Sequence, residues 1–428
     1  MLKCGLYEMD TTPALGMEMP GHFILRNAKS FLEKLYCHAS YFDNGEERAV
    51  IISNDSITIP EYIVEIVRKE LAEQLDMKPE CILLCATHTH CGGPLETWGE
   101  FVHFNKIYAD FVAKRFIDCA VMAAIEARDV IIGYSKGYED KIAYYRDFVM
   151  SDGSFRTNPG MEDPGKRPFG EIDKEVGVLR IDNLDGTPYG ALINYACHCD
   201  CVGGWSFSSD YPGEMKKLLR KVYGYDFIPV FINGFSGNIN HCDYFTAFNQ
   251  YPEHYKRMGR MLAADVIRTR EYSEPFEGDI KISGKDFKMA IPTREPSAEL
   301  LKWADEILSL PDPKSDIVSY FYALQTKDFQ AAGVKMIDAI VQIIQIGDLA
   351  IYGMPGEIFV EFGLDLKEHS PIKYNMHANL ANGCIGYVLI RELFQPGIYE
   401  ARLCTSSKMT PDAGYMMVDK LLELAEEL

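Results

Sequence analysis

No run of apolar residues in this sequence approaches the roughly 18 that a membrane-spanning helix requires, which excludes an integral helical membrane protein. The opening segment MLKCGLYEMD has no basic stretch, no apolar core and no small-residue cleavage site, so the expectation from the chain as it stands is a cytoplasmic protein. Positive charge is also scarce: 43 Lys and Arg stand against 63 Asp and Glu, a net charge of −20. A surface of that sign repels phosphate backbones and anionic headgroups, so nucleic acid is excluded as a partner. Internal repeats, low-complexity tracts and long Pro/Gly/Ser linkers are all missing. The best candidate breaks, residues 163–168 and 310–314, are short enough to be surface loops. The 428 residues therefore read as one domain, 1–428. With 47% hydrophobic and 25% charged residues, the chain has a globular composition and can bury a large core. Its twelve cysteines are few for its length, and several sit inside apolar runs such as Cys81-Ile-Leu-Leu-Cys85. Buried, reduced thiols are expected, not a disulfide framework.

Apolar spacing divides the chain into alternating helices and strands. Thr58-Ile-Pro-Glu61 has a capping-box spacing, and Ile63, Ile66, Val67 and Leu71 follow at helical intervals, which predicts a helix over 59–76. Lys78-Pro79 stops it, and residues 82–86 read as a buried strand. Residues 105–128 carry one apolar and one charged face, the pattern of a long helix. Residues 176–181 and 191–196 are strands around the turn signal Asn183-Leu-Asp-Gly186. Residues 228–232 are another buried strand, 339–346 and 349–352 a second hairpin, and 411–428 an acidic terminal helix. The fold class is α/β, a mixed β-sheet core flanked by helices, with a metal site in loops at strand ends.

Polar, ligand-type residues recur directly after the apolar strands, where a rigid sheet can converge side chains from distant parts of the chain. His88 and His90 leave strand 82–86 in Thr87-His-Thr-His90, His198 leaves strand 191–196, and Glu357 follows Pro355-Gly356 after strand 349–352. A catalytic zinc takes three ligands of the His/Asp/Glu type and keeps a position for water. His88, His198 and Glu357 supply such a set. Glu357 also fits an acidic residue in the first turn of a helix, acting on its dipole. Cys197-His-Cys-Asp-Cys201 offers a rival thiolate site, though alternating residues on a strand end point to opposite sides and the spacing is not that of a zinc knuckle. Ser236 lacks the glycine spacing of a nucleophile elbow. Arg146 and Arg156 can bind a carboxylate, stabilise an oxyanion, or simply form surface ion pairs. Tyr387 and Tyr399 pass on their own for core aromatics with a polar tip.

Taken in order, the segments ATHTHCGGP (86–94), YRDFVMSDGSFRTNPG (145–160), EVGVLRID (175–182), INYACH (193–198), SDYPGE (209–214), FINGFSGNIN (231–240), PGE (355–357) and NGCIGYVLIRELFQPGIYE (382–400) resemble the neutral/alkaline non-lysosomal ceramidases. These are zinc-dependent amidohydrolases that cleave the N-acyl bond of ceramide, and the resemblance spans most of the chain. It implies that His88, His198 and Glu357 bind Zn²⁺, with Tyr387 a further ligand through its phenolic oxygen, and that a metal-activated water is the nucleophile. It also implies that His90, Arg146 and Tyr399 face the substrate amide, position it and stabilise the oxyanion, with His90 placed for proton transfer. Asp210, in SDYPG, either orients a histidine or caps a helix. The chain departs from the family at Gly237-Asn-Ile-Asn-His241, which lacks the family's acid and proline. From the sequence as it stands, neither the signal peptide nor the C-terminal immunoglobulin-like domain of the secreted members is expected.

The resulting expectation is a zinc-dependent hydrolase of ceramide or another N-acyl amine. A zinc hydrolase of a small polar amide or ester stands beside it, as does a metal-binding protein of the same fold without catalysis. The oligomeric state is not legible in the residues.

Overall fold

The computed structural model describes residues 2–99 and 101–428. Its largest sheet has eight strands in the spatial order Ile228–Asn233, Pro188–Tyr195, Glu175–Asn183, Arg128–Tyr138, Lys3–Asp10, Tyr36–Asp43, Arg48–Asn54 and Ile82–Ala86. Neighbours run antiparallel except at the two edges, where Pro188–Tyr195 is parallel to Ile228–Asn233 and Arg48–Asn54 to Ile82–Ala86. Among the described residues the two halves meet along a short seam, Lys3 opposite Asp129 and Cys4 opposite Arg128, with Val130 N donating to Leu2 O at 3.1 Å. With so short a seam the sheet folds there, and its edges come together. The Ser53 hydroxyl donates to the Phe231 carbonyl at 2.5 Å, and Asn233 Nδ2 donates to the Thr87 carbonyl at 3.1 Å.

A second sheet of four strands, Ile282–Pro292, Met336–Ile346, Leu349–Gly353 and Tyr374–Ala378, closes over this arrangement, its last two strands parallel. Ile51, Leu83, Leu192, Val230, Ile344 and Met376, drawn from all three β layers, form one buried cluster. Each such side chain contributes about 1.5–3 kcal/mol of transfer free energy. Helices α1 (Glu61–Gln74) and α2 (Lys106–Ile125) cover one outer face through Val64, Val67, Leu71 and Phe116. The other face is covered by α3 (Tyr211–Tyr223), α4 (His254–Glu271), α7 (Val360–His369) and α8 (Ala413–Glu426). A helical hairpin, α5 (Ala298–Leu308) and α6 (Ile317–Ala332), is inserted between the first two strands of the second sheet.

The mixed α/β core and its elements follow the hydrophobic patterning closely. Asn105 caps α2 by accepting from the Tyr108 amide at 3.0 Å. The Asp-Gly turn closes its hairpin with Gly186 at φ +83°. Three details differ from expectation. Thr58 does not cap α1, because its hydroxyl is engaged by the Glu96 carboxylate. Ile66 is 46% exposed, while Val64 takes the core position beside Ile63. Glu357 lies in a two-residue strand, Glu357–Ile358, ahead of α7, so the helix-dipole reading of this residue fails. All twelve cysteines are free thiols, and most are buried.

Candidate active site

Three parallel strand pairs send their chains out toward one place. His88 lies two residues beyond strand Ile82–Ala86, His198 three beyond Pro188–Tyr195, and Glu357 four beyond Leu349–Gly353. The exits are tied to one another through the main chain. His90 N donates to Cys199 O at 3.1 Å, His198 N to Ile239 O at 3.1 Å, and Gly237 N to Ile358 O at 2.7 Å. His88 takes φ +67°, a left-handed conformation that costs a residue with a Cβ about 1–3 kcal/mol and persists only where its surroundings impose it. Its amide is held by Ser56 O at 2.9 Å.

The rings are fixed as metal-binding tautomers. His88 Nδ1 lies 2.9 Å from Ile57 O, and His198 Nδ1 lies between Ser236 O at 2.7 Å and Ile239 O at 3.0 Å. A ring nitrogen against a carbonyl carries the proton, so each ring presents the lone pair of Nε2. Those two Nε2 atoms stand 3.3 and 3.2 Å from Glu357 Oε2. Ligands about 2.0–2.1 Å from a tetrahedral zinc are separated by about 3.3–3.4 Å, so this donor set matches the ion's size and preference. The three residues are 1%, 1% and 4% exposed.

Burial and close contact shift the titration of each of these groups. Burial would raise the Glu357 carboxyl, but the two imidazoles hold it well below the usual carboxylate range. Burial and the Arg146 charge push His198 down to about 4. Burial, with the neighbouring histidines, holds His90 well below its ordinary value. For His88, burial pulls down but the Glu357 carboxylate outweighs it. His90 completes a group of three ring nitrogens with His88 and His198, all within 4.8 Å of one another. Its Nε2 is 3.3 Å from His88 Nε2, and its Nδ1 is 3.0 Å from Gly21 O.

Arg146 enters from the other side. Its Nη2 donates to Gly237 O at 2.5 Å and its Nε to Glu400 Oε1 at 2.5 Å, leaving Nη1 3.4 Å from His198 Nε2. Tyr387 pairs in register with Glu357 in a short parallel ribbon, which puts the two side by side. Burial and the Glu357 charge keep it a phenol. Its ring is 5.9 Å from that of Tyr399, which is 37% exposed and lines the pocket. Thus His88, His90, His198, Glu357, Arg146, Tyr387 and Tyr399 are all brought together.

Glu357 and Tyr399 open into a pocket of about 200 Å³. Phe23, Trp98, Phe101 and Phe321 form its apolar wall, while Glu96, Thr405, Ser406 and Lys408 give it a polar side. Phe23 lies at the centre of the aromatic wall, with ring centroids of Phe101 and Phe321 each at 5.8 Å.

Other candidates lie elsewhere or serve the scaffold. Arg156 is exposed. Cys197, Cys199 and Cys201 are raised well above the usual thiol range by burial, and none of them joins the groups of convergent metal-type donors among the described residues. Asp210 caps α3 through the Tyr211 amide at 2.6 Å and holds the Cys201 and Val202 amides at 2.9 Å, which is the capping role. Ser236 contributes its carbonyl to His198; its hydroxyl faces Asn233 at 3.4 Å.

Four residues of the surroundings carry no sequence signal of their own: Glu400, Asp200, His22 and Asn238. Glu400 adjoins Tyr399 and Asp200 follows His198 by two, but neither spacing tells where the side chain goes. Asn238 explains the unusual Gly237-Asn238 loop. Its carbonyl accepts from the Arg146 amide at 3.0 Å, its Oδ1 from the Val360 amide at 2.9 Å, and its Nδ2 donates to Glu361 at 2.9 Å.

No protein-family model matches the chain. Neutral ceramidase A of Dictyostelium discoideum is 25% identical over 235 residues, which are 51% of this chain and 31% of that protein. Neutral ceramidase B of the same organism is 24% identical over 190 residues, 42% of this chain and 26% of that protein. The match therefore spans less than a third of either curated relative. Over its whole length the chain superposes on the crystal structure of neutral ceramidase from Pseudomonas aeruginosa, with a TM-score of 0.75, 17% identity and 75% of that chain covered. It superposes likewise on a ceramidase complexed with C2, with a TM-score of 0.72, 15% identity and 76% of that chain covered. The chain is built on the fold of the neutral ceramidases and resembles them in sequence.

Proposed function

We propose that this protein is a zinc-dependent amidohydrolase that cleaves the N-acyl bond of ceramide or a related N-acyl amine. The observation that carries the reading is the convergence of two tautomer-locked imidazoles on one carboxylate oxygen, at 3.3 and 3.2 Å, beneath an aromatic pocket. The resemblance to neutral ceramidases supplies the reaction class. In this reading His88, His198 and Glu357 hold the ion and Tyr387 lies beside Glu357 as a further ligand. Zinc held there supplies a Lewis acid and lowers the pKa of a water toward roughly 7.

The chain's own side chains do the remainder. Arg146 has one guanidinium nitrogen free to face the donor cluster, which suits a charge developing on the amide oxygen as water adds to the carbonyl carbon. His90 faces the same place through Nε2 and can pass a proton to the departing nitrogen. Tyr399, at the pocket wall, positions the acyl group. Water is added across the C–N bond, giving a carboxylic acid and an amine.

A second reading has an observation behind it. A pocket of about 200 Å³ with Lys408, Thr405 and Ser406 on one side admits a short polar amide more readily than a long acyl chain. Hydrolysis of N-acyl amines of graded chain length separates the two. Activity that rises with acyl length and releases free fatty acid supports the ceramidase-like reading. Activity confined to short polar amides keeps the chemistry and discards the lipid, and release of neither acid nor amine from any member overturns the proposal.

A further inference from the structure

On the side of His90 away from His88 lies a second group of donors. His90 Nδ1 and His22 Nε2 stand 3.5 and 3.6 Å from Asp200 Oδ1, and the three ligand atoms are all within 4.8 Å of one another. The separations to Asp200 are close to the edge of about 3.3–3.4 Å expected for nitrogen and oxygen ligands around a tetrahedral zinc. We propose that His22, His90 and Asp200 form a second divalent-cation site, of the zinc class, adjoining the first on the far side of His90.

Two further observations support it. His22 Nε2 is a buried nitrogen with no hydrogen-bond partner among the described residues, an arrangement that costs free energy unless something occupies it. The loop carrying His22 is also pinned in place. Arg26, 1% exposed, donates to the carbonyls of Pro20 and His90, each at 2.5 Å, and to Gly204 O at 3.3 Å. Its positive charge opposes a cation, but its Nη1 and Nη2 donors are turned to these carbonyls.

His90 Nδ1 also lies 3.0 Å from Gly21 O. The site rests on its own three residues and not on the hydrolase reading.

The test is zinc stoichiometry, by elemental analysis and by titration of the chelator-stripped full chain with Zn²⁺ alone. Two zinc ions per chain are expected in the wild type, falling to one in His22→Ala and in Asp200→Asn, and to one in His198→Ala. Asp200→Asn preserves the side-chain shape, so circular dichroism and, in the chelator-stripped proteins, melting temperature should match the wild type. A single zinc in the wild type that survives His22→Ala and Asp200→Asn overturns the second site and leaves the first standing. A single zinc that survives His198→Ala but is lost in Asp200→Asn supports the second site and overturns the first.

Discussion

Arg146 Nε and Glu400 Oε1, from residues 254 positions apart in the chain, meet at 2.5 Å beside His198. Glu400 is fully buried, and its other oxygen takes the Thr157 hydroxyl at 3.1 Å. The same hydroxyl is engaged by Asp147 and receives the Tyr399 amide at 2.9 Å. Glu400 therefore aims Arg146 while its neighbour forms the pocket wall.

Glu400→Gln should lower kcat about 10–100-fold, the usual effect of losing a group that orients one at the centre. Bound zinc should be unchanged, and the melting temperature should fall because the Arg146 charge loses its partner. Arg146→Ala should cost about 10²–10³ in kcat, again with zinc retained. Steady-state kinetics and elemental analysis of both variants check this. Unchanged kcat in Glu400→Gln removes its positioning role.

Gly237→Ala tests how tightly the loops are packed behind Glu357. A Cβ at this position meets the Glu357 carbonyl oxygen at 2.4 Å, which is main chain and cannot step aside. Destabilisation of about 1–3 kcal/mol is expected, with weaker zinc binding as Glu357 shifts. Thermal unfolding and zinc titration read the two effects, and a variant equal to wild type in both contradicts the packing.

Far from the site, Glu8 predicts a pH dependence of stability. Its Oε2 is 3.2 Å from His38 Nε2 and is also held by Arg220. Burial would raise its carboxyl, but these partners lower it from 4.5 to about 2. A depressed folded-state pKa stabilises above the unfolded value, and that contribution is lost as pH falls from about 4.5 toward 2. The stability difference between wild type and Glu8→Gln should therefore shrink by about 3 kcal/mol across that window. A difference that stays constant with pH contradicts the assignment.

In the proposed reading the aromatic wall sets the acyl preference. Phe321, carried by α6, packs near Phe23 and Phe101 at ring-centroid distances of 5.8 and 6.0 Å. Phe321→Ala should lower kcat/KM for long-chain amides about 10- to 100-fold more than for acetyl amides. An equal effect on both lengths would place the acyl chain elsewhere.

Much of this architecture was legible because apolar period and turn chemistry are local. The strand at 82–86, the Asp-Gly hairpin and the ligand-type residues after each strand are visible in the residues alone. The register that sets Tyr387 beside Glu357 is not, because it depends on pairing two-residue strands some thirty positions apart. The fold of the eight-stranded sheet at its two-residue seam is equally non-local, and it alone brings Asn233 against Thr87. No local pattern assigns Glu400, Asp200 or His22 to the site, for the same reason: each is an ordinary residue until tertiary packing places it. Ile66 shows the local limit, since helical spacing admits either Val64 or Ile66 beside Ile63 and only the packed sheet decides.

The most direct test of the central claim is hydrolysis of an N-acyl amine while zinc is removed and returned. The protein should lose turnover in step with the zinc stripped by chelator, regain it on adding zinc, and show neither loss nor recovery in Glu357→Gln, which should be inactive throughout. Undiminished hydrolysis by fully stripped protein, or full zinc-restored activity in Glu357→Gln, would contradict the account.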